Sequence, residues 1–204
     1  MSRVDKRRSI VAAVAPRVKH DPSKLEVCFE YGVDVEHRRL YLHEEIDDVS
    51  SSNIVKGLAL IDRTPGDIYI EITSPGGSVA HMFAIYDAIR ECKQKVYTIG
   101  RGEIASAAGL ILVAGDYRYA TPNAWFMAHG ISGGVDEGAD ILVTKSRIDA
   151  FLRQDKAYAK LMAKHTDLNE NWWNKNAKES KKEIWFDVDQ MKKHKIIDGV
   201  WPVE

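Results

Sequence analysis

Residues 67–102 read DIYIEITSPGGSVAHMFAIYDAIRECKQKVYTIGRG, and the hydrophobic period changes twice inside that stretch. DIYIEIT alternates apolar and polar residues at the spacing of a strand. GGSVAHMFAIYDAIRECK starts with small residues and then places its apolar positions at helical spacing, and KVYTIGRG returns to a strand pattern. A strand, a crossover helix and a second strand form the unit from which parallel sheets are built, because the helix returns the chain to the end at which it started.

The alternation continues on both sides. Towards the N-terminus, LEVCFEYG and RRLYLHEEI read as strands, and DDVSSSNIVKGLALIDR as a helix with Asp and Ser as N-cap candidates. Towards the C-terminus, SAAGLILVAG reads as a helix and AWFMAHG as a strand. Residues 139 to about 165 form one long helix whose apolar positions include Ile141, Leu142, Ile148, Phe151, Leu152, Tyr158, Leu161 and Met162. The expected fold class is α/β with a largely parallel sheet and one projecting helix. The basic opening, residues 1–24, reads as an arm ahead of a single domain spanning 25–204.

Bulk properties narrow the function. With 204 residues, 45% hydrophobic and 29% charged, the chain has the profile of one soluble domain with a sizeable core. A net charge of −1 and a pI near 6.7 give no general attraction to nucleic acid or to an anionic membrane, so neither is expected as a partner. The apolar runs are shorter than the roughly 20 residues of a membrane span, and no signal-type hydrophobic segment opens the chain. Two cysteines without paired spacing, Cys28 and Cys92, argue for a reducing, cytoplasmic setting and against a disulfide framework or a zinc site. The Gly76-Gly77 pair lacks the spacing of a dinucleotide fingerprint or a P-loop, and no metal or cofactor is expected.

One hydroxyl stands out. GEIASAAG, residues 102–109, places Ser106 among small residues at the start of an apolar helix, where it serves either as a packing or capping residue or as a nucleophile. Small neighbours leave room for a carbonyl, and the Ala107 N–H at the helix N-terminus is suited to an oxyanion. A serine needs a base to attack at neutral pH. Of seven histidines, His129 closes the strand AWFMA and is followed by Gly130, a place where a side chain can emerge at a sheet edge, and it serves there either as the base or as a plain strand-end residue. His81 is the rival, but it lies one turn into a helix, where the dipole disfavours an imidazolium. KKEIWFDVDQM offers Glu183, Asp187 and Asp189 as the carboxylate that would orient the base.

Four motifs in order, TSPGGSV with AIYDAI, GEIASAAGLILVAG, ATPNAWFMAHG and the terminal IID, resemble the Clp protease proteolytic-subunit (ClpP) family of serine peptidases. The resemblance runs from about residue 33 to 198, and the interval from Gly77 to Ser106 matches the family's without a gap. It implies a ClpP/crotonase-like fold with a handle helix, Ser106 as nucleophile, His129 as base, and the Gly77 and Ala107 N–H groups as the oxyanion hole. By register it puts Glu183 where the family usually has Asp, with Asp187 in reserve. It further implies a polypeptide substrate, a homo-oligomer of two stacked heptameric rings, and an AAA+ unfoldase as a separate partner. The chain departs from the family at Gly130-Ile131, where Gln-Pro is usual, and at His81, where a small residue is common; it reads as a divergent, phage-like or accessory member. A catalytically silent ring subunit and a crotonase-like acyl-CoA enzyme are the alternatives.

Overall fold

The computed structural model describes residues 21–132, 140–179 and 182–202. The chain runs α1 (Pro22–Tyr31), β1 (Val33–Asp34), β2 (Arg39–Leu42), α2 (Asp48–Ile61), β3 (Ile68–Ser74), α3 (Val79–Glu91), β4 (Val96–Ala105), α4 (Ala107–Ala114), β5 (Tyr117–Ala120) and β6 (Trp125–Ala128). Then follow α5 (Ile141–His165), α6 (Glu170–Trp173) with a π-helical turn at Asn174–Glu179, β7 (Ile184–Phe186), α7 (Val188–Lys193) and β8 (Gly199–Val200).

The strands form one sheet in the order β1-β2-β3-β4-β5-β8, parallel except for the β1–β2 pair. This is the α/β architecture expected from the alternating pattern. Its departure from a simple sheet lies in β4, which changes partner along its length. Residues 97–100 pair with β5, whereas Glu103, Ile104 and Ala105 pair in parallel with Trp125, Phe126 and Met127 of β6. Gly102, at φ +57, stands between the two halves, in the left-handed region that glycine enters without a Cβ penalty. β6 in turn carries β7 antiparallel on its outer side. The C-terminal half of β4 is thereby led away from the main sheet, and its end meets the end of β6.

All eight residues of α4, AAGLILVA, are buried, as expected of a helix that is apolar on every side. It lies against β4, α3 and α5. A Cβ at Gly109 would stand 2.8 Å from the Phe126 ring, so glycine there lets the helix approach β6 closely. Packing of α4 therefore fixes where β4 stops and where Ser106 begins.

One expectation needs correction. LEVCFEYG is not a strand but most of α1: Asp21 caps it by accepting the Ser23 N–H at 3.0 Å, Pro occupies its first turn, and Gly32 ends it at φ +64. Its alternating apolar residues do not mark a buried strand face; Phe29 is 88% exposed. The capping signals Asp-Pro-Ser and Gly were present in the sequence and outweigh a short period-two run. The segment YRYA forms strand β5. The helix α1 crosses the expected boundary at residue 24, and most of the basic arm lies outside the described residues.

Candidate active site

The strand-to-helix turn at Ser106 is strained. Ser106 has φ +55 and ψ −119, a conformation that a residue with a Cβ rarely adopts and that costs about 1–3 kcal/mol. Its backbone is held on both sides: its N–H donates to Met127 O at 2.7 Å, and its C=O accepts from Gly109 N at 3.0 Å. The first bond ties the serine to β6 two residues before His129, and strand pairing thus brings the two together. From this turn Ser106 borders a small cleft.

Gly76 and Gly77 complete the surroundings. Gly76 (φ +97) packs so closely on the turn that a Cβ there would lie 2.7 Å from the Ser106 Cβ. Gly77 (φ +145) bridges Ile46: Ile46 N donates to Gly76 O at 2.7 Å and Ser78 N donates to Ile46 O at 2.8 Å. In a parallel bridge those two bonds turn the central residue's own N–H to the other side. Among the described residues, no loop or cap hydrogen bond uses the N–H of Gly77 or of Ala107. The latter is the first residue of α4, where an N–H has no partner within the helix.

Gly77, Ser106, Ala107 and His129 line one small cleft of about 40 Å³, with Val79, Met82, Ile131, Ser132 and Tyr158 as its remaining walls. Four of the five residues singled out from the sequence therefore meet. His81 does not line it. His165, at the end of α5, bonds the Tyr86 hydroxyl through Nε2 at 2.8 Å. Burial, reinforced by Arg90, Lys164 and Arg118, lowers its pKa to about 4.

The carboxylates are placed differently. Register extends the β6–β7 pairing, Ala128 opposite Ile184, so that Glu183 falls opposite His129. Its carboxylate, however, accepts the Trp185 Nε1–H at 3.1 Å in an exposed position. Asp187 caps α7 by accepting Gln190 N at 2.8 Å, in a capping box. The His129 ring instead donates from Nδ1 to Gly130 O at 2.6 Å. Among the described residues, no hydrogen bond joins the Ser106 hydroxyl to His129.

Two residues in or beside the cleft were not anticipated as site residues. Tyr158 is buried on α5, and its hydroxyl has no hydrogen-bond partner among the described residues; burial pushes its pKa up. Asp155, one turn earlier, is also buried and accepts Ile131 N–H at 3.2 Å. In sequence Tyr158 belongs to the apolar stripe of this helix, and a buried carboxylate at Asp155 leaves no local signature. Of the segment GISGG after His129, residues 133 and 134 lie outside the described residues. Cys92 is no rival nucleophile, since burial holds its thiol pKa up at about 11. Among the described residues, no three His, Cys, Asp or Glu side chains are grouped to hold a metal ion, and no helix is long and apolar enough to cross a membrane.

A strained serine at a strand-to-helix turn, a histidine on the adjoining strand end and two N–H groups free of loop or cap hydrogen bonds thus share one cleft. The family model for Clp protease matches residues 26–204, and the chain belongs to that family. It is 34% identical over 169 residues, 81% of this chain and 74% of the relative, to the ATP-dependent Clp protease proteolytic subunit 3 of Streptomyces avermitilis. It is 33% identical to proteolytic subunit 1 of Streptomyces coelicolor over 80% of this chain and 74% of that one, and 32% identical to proteolytic subunit 2 of Frankia casuarinae over 84% and 81%.

Proposed function

We propose that this chain is a serine endopeptidase that cleaves unfolded polypeptides through an acyl-enzyme, as the proteolytic subunit of a ring complex. The observation that carries the reading is the convergence of Ser106, His129 and the Gly77 and Ala107 N–H groups on one cleft. The Ser106 oxygen attacks the peptide carbonyl while its proton passes to Nε2 of His129; the carbonyl π pair moves onto oxygen, facing the two N–H donors. The tetrahedral intermediate collapses as His129 returns that proton to the leaving amine and the C–N bond breaks. Water then repeats the sequence on the ester. Glu183 is the triad acid by register, and engaging His129 requires its side chain to leave Trp185.

Assembly into stacked rings, heptameric by resemblance, is supported by α5. Its buried residues, Asp155, Tyr158, Ala159 and Met162, all lie in its second half, while Ile141, Leu142, Ile148 and Leu152 are 82%, 75%, 44% and 51% exposed. An apolar stripe of that kind calls for a partner surface. The relatives' names include "ATP-dependent", and an AAA+ unfoldase as a separate chain fits that description.

A catalytically silent subunit is the second reading, favoured by the His129 Nδ1 contact with a carbonyl where an active triad has a carboxylate. Membership of the Clp protease family argues against the acyl-CoA alternative. The deciding experiment compares peptide hydrolysis and fluorophosphonate labelling of wild type and Ser106→Ala, with light scattering to follow assembly. Hydrolysis is expected to fall on the order of 10⁴- to 10⁶-fold in the variant. In the same assay Glu183→Gln should impair turnover more than Asp187→Asn does. An assembled wild type that neither cleaves nor labels would establish the silent reading.

A further inference from the structure

The peptide between Gly130 and Ile131 is gripped from both ends. Its C=O accepts the His129 Nδ1 proton at 2.6 Å, and its N–H donates to Asp155 Oδ1 at 3.2 Å. A carbonyl has no proton to give, so the first bond puts a ring proton on Nδ1; of the two neutral tautomers it selects the one whose Nε2 lone pair is free. That is the tautomer a general base must hold. A carboxylate at the N–H end of a peptide polarises it and strengthens its oxygen as an acceptor.

Asp155 is only 7% exposed, and a buried aspartate is rare unless it has work in hydrogen bonding. The chain's departure at residue 131 is what makes the contact available: Ile131 has an N–H where the proline usual in the family would have none. We propose that Asp155 is a positioning residue for His129, acting through the Gly130–Ile131 peptide and holding the ring in place while the Glu183 carboxylate is bonded to Trp185. No proton reaches Asp155: when Nε2 takes the Ser106 proton, Nδ1 keeps its own, and the polarised carbonyl faces the imidazolium. The inference rests on the serine-peptidase reading.

The test uses the assembled full chain, a fluorogenic peptide and fluorophosphonate labelling. Asp155→Ala should lower kcat about 10- to 100-fold with KM within about twofold, and slow labelling of Ser106 in step. Asp155→Asn, whose amide oxygen can still accept the Ile131 N–H, should recover to within about fivefold of wild type. If Asp155→Ala fails to assemble, Ile131→Pro replaces it, since it deletes the donor and leaves Asp155; the expectation is the same. Wild-type kcat in Asp155→Ala, or equal impairment of the Ala and Asn variants, would overturn the proposal while an inactive Ser106→Ala left the peptidase reading standing. An assembled wild type that neither cleaves nor labels would take down both.

Discussion

Gly76→Ala is the most direct probe of how the turn at Ser106 is built. The added methyl carbon would stand 2.7 Å from Ser106 Cβ, 2.8 Å from Ala105 O and 3.0 Å from Ala107 N. None of these is the end of a flexible side chain, so relief requires the strand-to-helix turn itself to move. Overpacking of this kind costs about 1–3 kcal/mol. Residue 76 also sits at φ +97, which adds about 1–3 kcal/mol for a residue with a Cβ. The expected loss is about 2–6 kcal/mol, against a total of about 5–15 kcal/mol typical of a domain, so the variant should be destabilised but still fold. A displacement near 1 Å at the nucleophile should cut its reactivity about 100-fold. Gly102→Ala is the control: φ is +57, but the nearest contact of a Cβ is Thr73 Cγ2 at 3.8 Å, so only backbone strain of about 1–2 kcal/mol applies. Urea unfolding followed by tryptophan fluorescence, at fixed protein concentration, gives the stabilities, and fluorophosphonate labelling gives the reactivity. If Gly76→Ala matches Gly102→Ala in both, the close approach of the two turns is not what holds Ser106 in place.

Stability should fall on acidification because of His165, whose folded pKa of about 4 lies below the ordinary histidine value. The unfolded chain takes up this proton first, so the contribution is complete above about pH 6.5 and is lost as pH falls through 4; discounted for the ring's partial exposure it is about 1–2 kcal/mol. His165→Gln should be less steep over that window in pH-dependent urea unfolding, and an identical slope would refute the assignment. Phe151→Glu, in the exposed half of α5, should weaken ring stacking because it sets an unpaired charge in an apolar contact. Sedimentation should show a smaller particle with unchanged circular dichroism, whereas a fully active monomer in the wild type would rule out the role given to this helix.

Elements were legible wherever one face or the whole circumference of a segment is buried, because burial imposes a hydrophobic period that a short window of sequence records. β3, α3, the start of β4, α4 and α5 all announce themselves in that way, and Ser106, with Gly77 and Ala107, is marked by small residues around a turn. α1 misled because its apolar residues alternate while facing solvent; only its caps revealed the helix. What no local window contains is which strand ends meet. The switch of β4 from β5 to β6 depends on α4 packing against Phe126, and it alone sets Ser106 beside His129. The same holds for the polar contacts. That Glu183 bonds Trp185, that Asp187 caps a helix, and that a buried aspartate on α5 reaches the peptide after His129 follow from packing between distant segments. Hydrogen-bond partners are chosen by proximity in the fold, and proximity across 24 residues, as between Ile131 and Asp155, has no periodic trace in the chain.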